Sequence, residues 1–160
     1  MNPVHFSSAT DEWATPVWLR VELEEEFGPF DLDVCASQAN TAAPAWFTRE
    51  QDGLQQAWVA RCCWMNPPYG RGIGQWIRKA HESVAAGECE RVVCLLPART
   101  DTRWWQQVVV PHAALVRFIA GRLRFGQAKD SAPFPSAVVV FDRTARPSLS
   151  PLRGVWIAGG

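Results

Sequence analysis

The chain has 160 residues, 48% apolar and 20% charged, an ordinary balance for one globular domain with a real core. No apolar run approaches the roughly 18 residues that a membrane-spanning helix needs. The start MNPVHFSSATDEW also lacks the basic-then-apolar layout of a secretory leader, so no membrane partner and a cytoplasmic location are expected. Five cysteines without C-x-x-C spacing, and His5, His81 and His112 far apart, suggest neither a zinc set nor a disulfide framework.

Net charge is zero, but its distribution is uneven. Residues 1–59 hold two basic and ten acidic groups, a balance of −8, and residues 60–160 hold fourteen basic and six acidic, a balance of +8. Such a split fits either two solvated faces or a cationic surface for nucleic acid. Nine tryptophans are many for this length; most are expected in the core and some along a groove for a flat ligand.

In chain order, residues 7–16 read as a polar loop ending in Thr15-Pro16, with Thr15 as N-cap and Pro16 in the first turn of a helix. Leu19, Leu23 and Phe27 at i, i+4, i+8 carry that helix to Phe27, and Gly28-Pro29 stops it. Phe30 to Ala36 reads as a strand in which acidic and apolar residues alternate, with Asp31 and Asp33 near its end. Trp46-Phe47-Thr48 reads as a short second strand, Asp52-Gly53 as a turn, and residues 55–59 as a helical patch.

The densest chemical signal is Cys62-Cys63-Trp64-Met65-Asn66-Pro67-Pro68-Tyr69-Gly70. An apolar run that reads as a buried strand breaks into an amide, two prolines, an aromatic and a glycine. Prolines have a fixed φ and no N–H, so the strand must end in a stiff, extended turn with polar groups left at its C-terminal edge. Ligands bind at that edge in open α/β sheets. Gly70-Arg71-Gly72-Ile73-Gly74 fits no dinucleotide or phosphate-loop pattern and reads as a flexible loop before a helix that Gly87 ends.

Arg91 to Ala98 is a continuous apolar run, typical of a strand covered on both faces. The following Arg99 to Trp105 combines cations and paired aromatics. It suits a stacked base and its phosphates, or a helix N-cap at Thr100 or Asp101 with Trp104 packed inside. Leu115 to Ile119 and Ser136 to Phe141 read as an antiparallel pair at the sheet edge, and Val155-Trp156-Ile157 as a short strand in the tail. Strands alternating with helices predict an α/β fold with a mostly parallel, three-layer sheet.

Asn66-Pro67-Pro68-Tyr69 resembles the catalytic motif of methyltransferases that modify a planar amine, above all the exocyclic amine of adenine. It stands in order with Asp11 to Pro16, Phe30 to Ala36, Asp52 to Leu54, Pro97 to Thr102, Gly121 to Phe125 and Ala132 to Ala137. Together these resemble the phage-type DNA N-6-adenine methyltransferase family over roughly residues 11–143. The resemblance implies one Rossmann-like methyltransferase domain over residues 1–160, with its core at 11–143 and a tail at 144–160. It also implies S-adenosyl-L-methionine as cofactor, DNA as substrate and no metal. Asn66, Pro67, Pro68 and Tyr69 would then be catalytic. Trp13, Thr15, Pro16, Asp33, Cys35, Ala36, Asp52 and Leu54 would hold the cofactor, and Arg71, Arg99, Arg103, Arg122, Arg124 and Lys129 would meet DNA. The turn after Asp33 departs from the pattern in lacking the usual glycines. Asn-Pro-Pro-Tyr also serves RNA bases and protein glutamine amides, so these stay rival substrates; a non-catalytic nucleic-acid-binding module is a rival of another class.

Overall fold

Residues 14–144 and the backbone of 155–156 are described in the computed structural model. Helix α1 spans Val17–Phe27, followed by strands β1 (Leu32–Asp33) and β2 (Ala45–Trp46) and a 3-10 turn at Gly53–Gln55. Strand β3 (Ala60–Met65), helix α2 (Ile73–Ala85) and strand β4 (Cys89–Pro97) form the centre. A π-helical turn, Trp105–Val109, runs into α3 (Val110–His112), and β5 (Leu115–Phe118), β6 (Ser136–Asp142) and β7 (Val155–Trp156) follow.

The seven strands form one mixed sheet in the order β2-β1-β3-β4-β6-β5-β7. Pairings from β2 through β4 are parallel; β4–β6, β6–β5 and β5–β7 are antiparallel. Strands β1 to β5 therefore all point one way, against β6 and β7. Both faces of the central strands are dry. Cys63 and Met65 of β3 pack with Ile73, Trp76 and Ile77 of α2 and with Trp105. Cys62 and Trp64 pack on the other side with Leu19 and Leu23 of α1, Phe30, Leu123 and Phe125. This two-sided burial is why β3 and β4 read as unbroken apolar runs. Helix α2 buries Ile73, Trp76, Ile77, Ala80 and Val84, the i, i+3, i+4 stripe of a helix lying on a sheet. Each such large side chain removed from water contributes about 1.5–3 kcal/mol.

Several local expectations are corrected by longer-range bonds. Thr15 does not cap α1: Pro16 holds the cap position without a side-chain bond, and the Thr15 hydroxyl binds Asn66 instead. The strand expected over Phe30 to Ala36 is only Leu32–Asp33, because the Asp33 carboxylate accepts N–H bonds from Cys35 and Ala42 and turns the chain out of the sheet. The second strand is Ala45–Trp46. No helix forms over 55–59 beyond the short turn. Trp58 donates its indole N–H to Gly53 O at 2.8 Å and its backbone N–H to the Glu88 carboxylate at 3.1 Å, drawing the chain out toward β3. Thr102, rather than Thr100 or Asp101, accepts from the Trp105 N–H, and Trp105 is the buried member of that pair. The antiparallel β5–β6 pair exists, but β6 lies inside the sheet between β4 and β5 rather than at its edge, with residues 136–141 all buried. Val155–Trp156 is a strand paired with β5; Ile157 lies outside the described residues. Among the described residues no helix is long and apolar enough to cross a membrane.

Candidate active site

The chain leaves β1 toward β2 on one side, and β3 takes the place on its other side. That divergence opens a crevice at the C-terminal ends of β1 and β3, the usual ligand position in open α/β sheets. Asp33 ends β1 and Asn66 follows β3, so both lie on this rim. The loops after β2, β4 and β5 leave from the same rim, because those strands share their direction.

Asn66 joins three distant segments. Its side-chain Nδ2 donates to Thr15 Oγ1 at 3.2 Å, and its backbone carbonyl accepts from Cys35 Sγ at 3.1 Å. With the NH2 directed at Thr15, the buried Oδ1 is the acceptor of that amide. Burial, then the neighbouring Asp33, raises the Cys35 thiol well above its ordinary range, so it keeps the proton that it donates. Pro67 is buried and Pro68 exposed. Tyr69 donates its hydroxyl to Leu95 O at 3.1 Å, and burial keeps that hydroxyl protonated. Its ring meets Phe125 (6.2 Å, 87°) and Phe134 (5.5 Å, 73°) edge to face. Arg99 lies 5.7 Å from the Phe134 ring centre. The sequence marks Phe125 and Phe134 only as members of the segments Gly121 to Phe125 and Ala132 to Ala137.

Of the expected cofactor residues, Asp33, Cys35, Ala36, Asp52 and Leu54 gather at the end of β1, Thr15 and Pro16 stand at the start of α1, and Trp13 lies outside the described residues. Asp33 is 2% exposed; Cys35 N reaches its Oδ1 at 3.3 Å and Ala42 N its Oδ2 at 2.9 Å. Burial outweighs these bonds and pushes its pKa up to about 7. Its carboxylate thus shapes the Cys35–Ala36 turn. Ala36 is tied by its N–H to Phe47 O at 2.9 Å. Asp52, at φ 51°, accepts from Leu54 N at 3.1 Å. The next residue must be glycine, since a Cβ on Gly53 would stand 2.1 Å from Val34 O and 3.1 Å from the Trp76 ring. That close approach wedges Asp52 and Leu54 against the end of β1. Pro16 stands at the start of α1, next to Thr15. The site is an open rim: a shallow depression lined by Pro44, Ala45, Trp46, Thr48 and Gln51 flanks the β2 edge but does not reach Asn66 or Tyr69.

A family model described as DNA N-6-adenine-methyltransferase (Dam) matches residues 5–152. The chain belongs to the DNA N-6-adenine-methyltransferase family. It is 34% identical over 144 residues to the DNA N-6-adenine-methyltransferase of Haemophilus phage HP1 (strain HP1c1), across 86% of this chain and 82% of that protein. It is 32% identical over 98 residues to the DNA N-6-adenine-methyltransferase of Escherichia phage T1, across 61% of this chain and 40% of that protein.

The methyltransferase divides its arginines into two sets. Arg91 pairs with Asp142, and Arg117 grips Glu26 through two bonds of 2.6 and 2.7 Å, so part of the basic excess is structural. Arg71, Arg99, Arg103, Arg122, Arg124 and Lys129 are exposed and form no ion pair among the described residues. All six sit in the segments that follow β3, β4 and β5, on the rim that carries Asn66; Arg103 is in the helical start of its segment and the others are in loops.

Proposed function

We propose that this adenine-specific DNA methyltransferase takes its methyl group from S-adenosyl-L-methionine and that Asn66-Pro67-Pro68-Tyr69 carries out the transfer in one Rossmann-like domain. The observation that carries the reading is the convergence of Asn66, Thr15 and Cys35 at the crevice between β1 and β3.

The residues beside β1 suit the cofactor. Asp52 uses one carboxylate oxygen on Leu54 N, and its second oxygen has no hydrogen bond among the described residues, a fit for an amine donor. Cys35 and Ala36 offer a small-residue turn that Asp33 holds from behind. Leu54 and Pro16 add apolar surface, and Thr15 reaches the cofactor side through the Asn66 link. When bound, S-adenosyl-L-methionine supplies an already activated methyl group, so the chemistry needs no metal and no covalent nucleophile.

The target amine is a poor nucleophile because its lone pair is delocalised into the ring. Asn66 Oδ1 and the Pro67 carbonyl accept its two N–H bonds, which favours a pyramidal nitrogen with a localised lone pair. Pro67 and Pro68 keep the acceptors rigid, so the stabilisation is preorganised. Tyr69 and Phe134 provide the aromatic surface for the base, with the buried Phe125 packed against both, and the exposed cations hold the phosphates. A base in duplex DNA must leave the stack, at a cost of a few kcal/mol.

Asn66→Ala is expected to lower labelled-methyl transfer to DNA by about 10²–10³-fold with the fold intact by circular dichroism. A wild-type rate in that variant overturns the reading. Transfer to RNA with none to DNA would favour the RNA alternative.

A further inference from the structure

Ser136 is 1% exposed, and its Oγ has no hydrogen-bond partner among the described residues. An unpaired hydroxyl in a protein interior is costly and uncommon, so its retention calls for a reason. The backbone around it is pinned. Its carbonyl accepts from Ile119 N at 3.0 Å, and the preceding Pro135 carbonyl accepts from Ala98 N at 2.8 Å.

Strand register places this hydroxyl. Along β6, Ala137, Val139 and Phe141 face the α2 layer, and Val138 and Val140 face the α1 layer. Alternation puts Ser136 on the α1 face, the face that holds Phe125 and Phe134. Leu95, whose carbonyl holds the Tyr69 hydroxyl, is the register partner of Val138; Ser136 is opposite Pro97, one strand step closer to the rim. A step of two residues is about 7 Å. The hydroxyl therefore lies between the Tyr69–Phe125–Phe134 cluster and the open end of β4.

We infer that Ser136 donates its hydroxyl proton to a ring nitrogen of the extruded adenine and is a specificity-determining residue of the methyltransferase. The inference rests on reading Asn66 to Tyr69 as the segment that holds the base. With the amine protons taken by Asn66 and Pro67, the adjacent edges of adenine offer only acceptors, N1 and N7. A hydroxyl can meet either by donating. A site that hydrogen-bonds such a group discriminates against bases that lack it.

The test uses synthetic duplexes of a sequence in which the wild type methylates an adenine, carrying adenine, 1-deazaadenine or 7-deazaadenine at that one position, and single-turnover methyl transfer by the wild type and by Ser136→Ala. On adenine, Ser136→Ala is expected to transfer about 10-fold more slowly. On the analogue lacking the contacted nitrogen, the two proteins should have about the same rate, which also cancels any loss common to both. Thermal stability of Ser136→Ala should equal or exceed that of the wild type, because no hydrogen bond of the fold is removed. Equal rates on adenine, the same 10-fold ratio on all three DNAs, or a lowered melting temperature overturns the inference. Asn66→Ala in the same assay separates the failures: if it is as active as the wild type, the base-holding segment is misassigned, whatever Ser136 does.

Discussion

Asn66 Nδ2 donates to Thr15 Oγ1 at 3.2 Å, a bond between residues 51 positions apart. It directs the amide so that nitrogen faces the start of α1 and oxygen is left as the acceptor. The Asn66 side chain is thus oriented by the element that precedes the sheet.

Thr15→Val removes that acceptor at nearly constant volume. Transfer should slow by about 10-fold, the worth of one hydrogen bond that positions a reacting group, with little change in melting temperature. Thr15→Ser should restore the rate. Single-turnover kinetics with thermal unfolding would check this, and an unaffected Thr15→Val would show that Asn66 is held some other way.

Gly53→Ala puts a methyl group into the space beside Val34 O. The backbone at the end of β1 must shift, at a cost of about 1–3 kcal/mol by urea unfolding. Because the same turn holds Asp52 and Leu54, cofactor affinity should fall as well, which equilibrium dialysis with labelled S-adenosyl-L-methionine would measure.

Asp33 makes stability depend on pH. Its folded pKa of about 7 lies above the ordinary 3.8. The folded chain therefore binds the proton more tightly, and this contribution is full below pH 3.8 and lost as pH rises toward 7. Asp33→Asn cannot titrate. Urea unfolding at pH 5 and 7.5 should show a smaller loss with rising pH in the variant than in the wild type; equal slopes would contradict it.

His81 acts with the opposite sign in part of that range. Its ring stacks on His112 at 3.9 Å and 10°, and packs near Phe141. Burial and then His112 lower its pKa below 6.5, against a smaller raising effect of Glu82. The unfolded chain takes up the proton first, so stability present above pH 6.5 is lost as pH falls below it. His112→Ala should soften that acid loss in the same unfolding measurements, and an unchanged profile would rule the pair out as its source.

Where an expectation depended on neighbours within a turn or two, it was readable. The apolar stripe of α2 and the two-sided apolar runs of β3 and β4 report directly on what each residue packs against. Thr15 shows the opposite case. Thr before Pro is a sound local cap signal, but its hydroxyl serves a partner beyond any window of helical spacing. Likewise β1 stops at Asp33 because that carboxylate captures the N–H of Ala42, nine positions on. Phe125, Phe134 and Ser136 lie in or next to a loop without periodicity, where composition cannot tell a surface aromatic from a pocket wall.

By itself the sequence determined how this segment runs: an amide followed by two prolines ends a dry strand in a stiff, extended turn at a sheet edge, because proline fixes φ and offers no N–H. Only the tertiary structure decided which groups meet there. Thr15 and Cys35 come to Asn66, and Phe125 and Phe134 to Tyr69, through strand order and side-chain contacts that span tens of residues. Those contacts depend on the burial of both sheet faces at once, a condition no local stretch of the chain contains.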